Sequence, residues 1–206
     1  MAVVTISREY GTESEAVAEA AAETLGYAYI GKELVGEIAK RLNLSEGEAQ
    51  VFHQTSQGRL LRVVDRYTCS IVQRVVDREH GCLDDKDYFE TTKKLVENLY
   101  DEGNVIILGW GGQCILKGRP GTLHVRLVKD DDKKIDYVMA HNHLDRTAAK
   151  KLIVREEKDL QSYIQNYFGE DWNDARLYNL VIDMGQHSAE EAAALIAENV
   201  RNISGR

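Results

Sequence analysis

The 206-residue chain is short of cysteine, proline, positive charge and long apolar runs, and each shortage excludes something. Its three cysteines, Cys69, Cys82 and Cys114, show neither C-x-x-C spacing nor a pairing pattern, which rules out a disulfide framework or a thiolate metal site as the organiser of the fold. They read as ordinary thiols in a reducing cytoplasm. No uninterrupted apolar stretch approaches the ~20 residues a membrane-spanning helix needs, and the first residues enter a β-branched run with no charged leader. A soluble cytoplasmic protein with no membrane partner is therefore expected. Acidic residues outnumber basic ones, 34 to 26, for a net charge of -8. A general nucleic-acid binder needs a basic stripe that displaces counterions, so no nucleic-acid partner is expected. The six histidines, including His141 and His143, lack Cys or acidic partners at metal spacing and read as solvated surface, so no metal ligand set is expected.

What is present begins at the first residues. Val3-Val4-Thr5-Ile6 is an apolar, β-branched burst, Ser7 to Ser14 a polar turn, and an Ala-rich segment with Val17, Ala20, Ala21 and Leu25 at helical spacing follows. Strand, loop and helix in that order aim the helix N–H groups and positive dipole end at the rim of a sheet, where a phosphate can sit. The usual completion is G-x-x-x-x-G-K-[ST], with glycines for close backbone approach and a lysine for the outer phosphates. Here Gly11 is the only glycine of the turn, and Glu13, Ser14 and Glu15 stand where glycine and lysine belong. The Walker A pattern is degenerate. Thr12 or Ser14 as helix cap, with acids in the first turn, explains these residues with no ligand and is the better reading of the bare motif.

Along the rest of the chain, Tyr27 to Ile30 reads as a strand, Lys32 to Leu42 as a helix and Ser45 as a capping-box start. Leu60 to about Glu79 keeps helical period with Arg62, Arg66, Arg74 and Arg78 among its apolar positions. Those arginines form either an anion-binding face or a solvated flank, the second being the more ordinary outcome. The helix from Leu61 to Val76 could also pack on a second copy of the chain. A further helix runs from Asp84-Asp85 to Glu102-Gly103, and Val105-Ile106-Ile107-Leu108 reads as a central strand buried on both faces. Gly109-Trp110-Gly111-Gly112 follows at its carboxyl end, where open parallel sheets place ligands. Pro120, the single proline, leads into the strand Leu123 to Val128. Asp130 to Phe168 reads as a charged helical hairpin outside the core, broken near His143 to Asp145. Leu180 to Asp183 is the last strand, and Ser188 caps a closing helix. Five short strands alternating with helices imply a parallel, doubly wound sheet with right-handed crossovers. With no internal repeat and no low-complexity linker, residues 1–206 read as one domain with two helical excursions.

The order and spacing of these segments resemble the cytidylate kinase-like family of P-loop nucleotide kinases. The resemblance rests on Ile6-Ser7-Arg8-Glu9-Tyr10-Gly11, Gly31-Lys32-Glu33-Leu34, Val105 to Leu108 with Gly109-x-Gly111, and Ile115-Leu116-Lys117-x-Arg119-Pro120. It continues in Leu123-His124-Val125-Arg126 and in Tyr167-Phe168-Gly169-x-Asp171-Trp172 before Leu177-Tyr178-x-Leu180-Val181-Ile182. It implies an α/β fold: a P-loop NTPase-type five-stranded parallel sheet flanked by helices. It also implies a helical lobe for the nucleoside monophosphate over 31–103 and a helical lid over 130–168. The implied reaction carries the γ-phosphoryl group of ATP to CMP, dCMP or a related monophosphate with Mg²⁺.

The resemblance also assigns roles. Ser7, Arg8, Gly11, Thr12 and Ser14 would hold phosphate, with Arg8, Arg155 and Lys158 as the catalytic cations. Lys32 would face the monophosphate substrate, with Arg62 and Arg66 as candidates to replace lost donors there; Trp110, where the family has an arginine, either stacks a base or is an ordinary core or interface tryptophan. The chain departs from the family pattern at Glu13, Ser14 and Glu15 in the loop, at Trp110 and Gly31 after the strands, and at Leu160 in the lid. Phosphoryl transfer is almost entirely positioning and charge cancellation, and each lost donor costs about 3 to 4 kcal/mol of barrier. The expectation is a phosphotransferase of weak or altered activity. The alternative is a catalytically inactive pseudokinase that senses nucleotide or binds a protein partner.

Overall fold

The computed structural model describes residues 1–31 and 85–204. The helices expected over 32–42 and 60–79 lie outside the described residues, and Lys32, Arg62, Arg66, Arg74, Cys69 and Cys82 with them. The chain divides into two compact units, Met1–Ile30 with Leu99–Arg206, and Gly31–Asn98. Element labels here number only the described elements.

The larger unit is built on β1 (Val3–Arg8), β2 (Ala28–Ile30), β3 (Val105–Leu108), β4 (Thr122–Val128) and β5 (Leu180–Asp183). All are parallel, in the order β2-β3-β1-β4-β5. The apolar burst at the start of the chain becomes the central strand, with Val3, Val4 and Ile6 at 2% exposure or less, because it has a neighbour on either side. Ile6 stands beside Leu108, and Ser7 beside Arg126. The chain leaves β1 toward one edge and leaves β4 toward the other. Their carboxyl ends therefore flank a point where the connections diverge, the place where open sheets bind ligands.

One face of the sheet buries Val4, Ile6, Ile106, Leu108, Leu123, Val125 and Leu127. They meet Val17, Ala18 and Ala21 of α1 (Ser14–Leu25) and Ala192, Ala193 and Ile196 of α6 (Ala189–Ser204). The small alanines at helical period let both helices approach closely. Ser188 begins α6 with a reciprocal cap: its hydroxyl accepts from the Glu191 N–H, and the Glu191 carboxylate accepts from the Ser188 N–H. The opposite face carries the alternate residues, which are apolar at Val3, Val105 and Ile107 and polar at Thr5, Ser7, His124 and Arg126. Thr5 Oγ1 and His124 Nδ1 lie 2.8 Å apart in the interior, and burial lowers the pKa of that imidazole despite an opposing backbone hydrogen bond. The short turn α3 (Gly112–Ile115) lies over Thr5, where a Cβ on Gly112 would be 3.1 Å from the threonine methyl.

The hairpin is α4 (Asp131–Asn142) and α5 (Arg146–Phe168). His143 closes α4 at φ 52° and the Asp145 carboxylate caps α5 by accepting from the Ala148 N–H. Its thin stripe forms a cluster of its own from Ile135, Val138, Ala149, Leu152 and Ile153, which Tyr10 from the first turn joins. α2 (Asp85–Glu102) crosses from the smaller unit into the larger; Thr92, Leu95 and Val96 are buried along it. Among the described residues no helix is long and apolar enough to cross a membrane.

Candidate functional site

β1 ends at Arg8, α1 begins at Ser14, and residues 9–13 turn between them. Gly11 sits at φ 90°, and a Cβ there would lie 3.3 Å from Val138 Cγ2 and 3.4 Å from the Lys134 carbonyl oxygen. Only glycine therefore fits between the loop and α4. The N-cap of α1 is Glu13, in the left-handed region at φ 56° and without a side-chain cap. This corrects the expectation that Thr12 or Ser14 caps the helix. The Thr12 hydroxyl turns inward and donates to the Glu9 carbonyl at 2.8 Å. Among the described residues the N–H groups of Gly11, Thr12 and Glu13 have no acceptor.

Beneath and beside the loop stand three buried cations, each already matched to a carboxylate. The Arg126 guanidinium, on the polar face of β4, donates to the Trp172 carbonyl at 2.5 Å, to Asn173 Oδ1 at 2.8 Å and, at 3.5 Å, to Glu9 Oε1. It also lies 4.0 Å from the centre of the Trp172 ring. Lys129, just past β4, reaches Glu13 Oε1 at 2.7 Å and the Gly11 carbonyl at 3.5 Å. Lys134, on α4, contacts Glu9 at 3.2 Å, Asp131 at 2.8 Å and Glu157 at 2.9 Å. Burial pushes the Lys134 ammonium down. The hydrogen bonds to Asp131 and Glu157 and the fields of Glu157 and Glu9 outweigh it, so Lys134 stays above the ordinary lysine range. Burial in turn raises Glu157, against the pull of Lys134. A buried charge without a partner is very costly, which is why none of the three cations lacks one.

Arg8 is different. Its guanidinium rests against Gly109 at the carboxyl end of β3, with Nη1 2.8 Å from where a Gly109 Cβ would stand. It makes no hydrogen bond or ion pair with a described residue. The next turn, Gly109-Trp110-Gly111, is left-handed throughout, with Trp110 at φ 62°. Its far side is closed by the end of α5: the Tyr163 hydroxyl donates to the Trp110 carbonyl at 3.4 Å, and a Cβ on Gly111 would lie 2.6 Å from the Phe168 ring.

Of the residues expected at the site, Gly11 and Thr12 lie in the β1–α1 turn and Ser14 begins α1, with the Thr12 hydroxyl turned inward, while the Arg8 guanidinium lies against Gly109. Ser7 lies below it, buried, with its hydroxyl oxygen accepting from Trp172 Nε1 at 2.9 Å and from the Tyr178 hydroxyl at 3.4 Å. Arg155 and Lys158 lie on the exposed flank of α5, and Arg155 is hydrogen-bonded to Glu156 at 2.8 Å. It is Glu157, between them, that reaches inward. Lys32, Arg62 and Arg66 are outside the described residues, and Trp110 is half-buried in its turn. Sequence reasoning missed Arg126, Lys129, Lys134 and Glu157. Only Arg126 left a signal, as a charged residue on a strand of apolar neighbours. Among the described residues no group of three or more His, Cys, Asp or Glu could hold a metal ion.

Residues 3–186 match the model of the cytidylate kinase-like family. Among solved structures, the chain is similar to an uncharacterized protein from Eubacterium ventriosum, with a TM-score of 0.68 and 19% identity over 98% of this chain and 99% of that one. It is also similar to a shikimate kinase from Bacteroides thetaiotaomicron (TM-score 0.53, 10% identity, 97% and 98% covered). A gluconokinase from Sinorhizobium meliloti gives a TM-score of 0.52 at 15% identity, with 98% and 96% covered. These likenesses show the fold: a five-stranded parallel sheet flanked by helices, as in the P-loop kinases. A uronate isomerase from Corynebacterium glutamicum is 26% identical over 111 residues, 53% of this chain, which spans about a fifth (21%) of that curated relative's length.

Proposed function

We propose that this chain, which belongs to the cytidylate kinase-like family, binds a nucleotide through its phosphates at the β1–α1 loop. We propose further that it carries phosphoryl groups from ATP to CMP, dCMP or a related monophosphate only weakly. The observation that carries this reading is the contrast among the cations. Arg126, Lys129 and Lys134 are each matched to carboxylates, whereas Arg8 keeps a guanidinium without a described partner at the carboxyl edge of the sheet. A planar guanidinium, with backbone N–H groups that have no described acceptor in the adjoining turn, suits a phosphate. Holding a phosphate needs less than stabilising the spread charge of a transferring phosphoryl group, which takes several converging cations.

Mg²⁺ is bound mostly by phosphate oxygens and water, with one or two hard donors from the protein. The Ser14 hydroxyl, at the first residue of α1, has no partner among the described residues and fits that need. The ion, when bound, would neutralise phosphate charge. Trp110 is proposed for the monophosphate side.

The inactive alternative has one observation in its favour: Arg155 is spent on Glu156, and α5 turns Glu157 inward rather than Arg155 or Lys158. Two measurements together separate the readings. ATP, CMP and dCMP with Mg²⁺ are expected to raise the melting temperature by mass action on the folded state, and coupled assays should show turnover far below that of an ordinary nucleotide kinase. No shift at millimolar ligand removes nucleotide binding, and binding with no turnover at all leaves the pseudokinase.

A further inference from the structure

The loop already carries an anion of its own. Glu13 stands at the N-cap of α1, where a carboxylate commonly accepts from the helix N–H groups, yet it makes no such bond. Instead its Oε1 takes the Lys129 ammonium at 2.7 Å, while a second Lys129 contact, at 3.5 Å, goes to the Gly11 carbonyl. The lysine comes from the end of β4, not from the helix, and still delivers a positive charge to the turn that lacks its usual lysine.

The two partners differ in how freely they can leave. The Lys129 side chain is 8% exposed and that of Glu13 is 39% exposed. If the pair breaks, the carboxylate can swing into water at little cost, whereas the ammonium stays buried and must find another anion. We propose that Lys129 is a second phosphate-binding cation beside Arg8, and that the Glu13 carboxylate holds its place until a phosphate chain enters and displaces it. The inference rests on the nucleotide-binding reading above and adds to it the cation and the competition. It gives the acid in the loop a role: it tightens the requirement on the ligand, because a phosphate must outcompete a tethered carboxylate for Lys129.

The test is calorimetric titration of the full chain with inorganic tripolyphosphate in Mg²⁺-free buffer, with circular dichroism confirming that each variant is folded. Glu13→Gln frees Lys129 and is expected to tighten binding roughly tenfold, the scale of one charge-assisted hydrogen bond. K129M weakens binding, and in the K129M background the Glu13→Gln gain shrinks to less than about twofold, since the two residues act as one unit. The E13Q/K129R protein retains the gain. An unchanged affinity in E13Q overturns the inference, as does a gain that persists in the K129M background, which would mean that only general repulsion had been removed. If wild type binds and Arg8→Ala abolishes it while E13Q changes nothing, this inference alone fails. If no variant binds, the nucleotide-binding reading fails and the inference with it.

Discussion

The ammonium of Lys134 stands 3.2 Å from the carboxylate of Glu9, joining residues 125 positions apart in the chain. Through its further contacts with Asp131 and Glu157, this one buried side chain ties the first loop to both helices of the hairpin. The loop and the start of α4 therefore belong to one charged network.

Replacing Lys134 with methionine leaves Glu9 and Glu157 facing each other without their shared cation. Both carboxylate side chains are about four-fifths covered, at 18% and 20% exposure. Breaking such a pair from one side is expected to cost about 3 kcal/mol, visible as a lowered urea midpoint at pH 7. A midpoint unchanged within error would show that water reaches the network.

The same residue sets a pH dependence. The folded pKa of Lys134 is raised, so its contribution is fully present below the ordinary lysine value of about 10.4 and is lost as pH rises through the higher folded value. Wild type should lose stability in that alkaline window faster than K134M does. Parallel curves for the two proteins from pH 9 upward would contradict this.

Cys114 is driven up to about 12, chiefly by burial and then by the Glu170 carboxylate, with Lys117 opposing. At pH 8 its thiolate fraction is then on the order of 10³-fold below that of a free thiol. Peptide mapping after a short iodoacetamide pulse should find Cys114 unlabelled in the native protein and labelled in urea. Rapid native labelling would mean that α3 opens readily.

Gly111 is at φ 66° with the Phe168 ring where a Cβ would go. Gly111→Ala should destabilise the protein by about 1 to 3 kcal/mol, from a left-handed alanine and from overpacking. Adding Phe168→Leu should relieve only the overpacking part. If the double variant melts no higher than the sum of the singles predicts, the clash is not what limits this position.

Arg8→Ala should abolish the nucleotide-induced rise in melting temperature with little effect on the unliganded protein, because the guanidinium has no described partner to lose. Arg8→Lys should restore it only in part, since a lysine offers a point charge in place of a planar fork. Retained ligand response in the alanine variant would remove Arg8 from the site.

Much of the frame was legible in the sequence, and for local reasons. Val105–Leu108 and Leu180–Asp183 are strands with the expected bounds, because short β-branched runs flanked by polar turns have few alternatives. The break between Asn142 and Arg146 follows from a left-handed His143 and an Asp145 cap, both near-neighbour effects. The cap of α1 was not legible. Thr12 and Ser14 are good caps in isolation, but the loop is pulled toward β4 and α4 by Glu9 and Lys129, and that strain falls on Glu13.

By itself, the sequence determined the alternation of strands and helices, the place of the first turn at the sheet's rim and the loss of the usual glycine and lysine there. Periodicity and capping act over a few residues, so they can be read along the chain. Only the tertiary structure decided which charges cancel. Glu9 meets the charged groups of Arg126 and Lys134 from 117 and 125 residues away, the Lys129 ammonium meets Glu13, and Glu157 turns inward where Arg155 does not. Helical period says which face a residue occupies, whereas the partner across a buried gap is set by how separate elements pack. That packing leaves Arg8 without a described carboxylate partner.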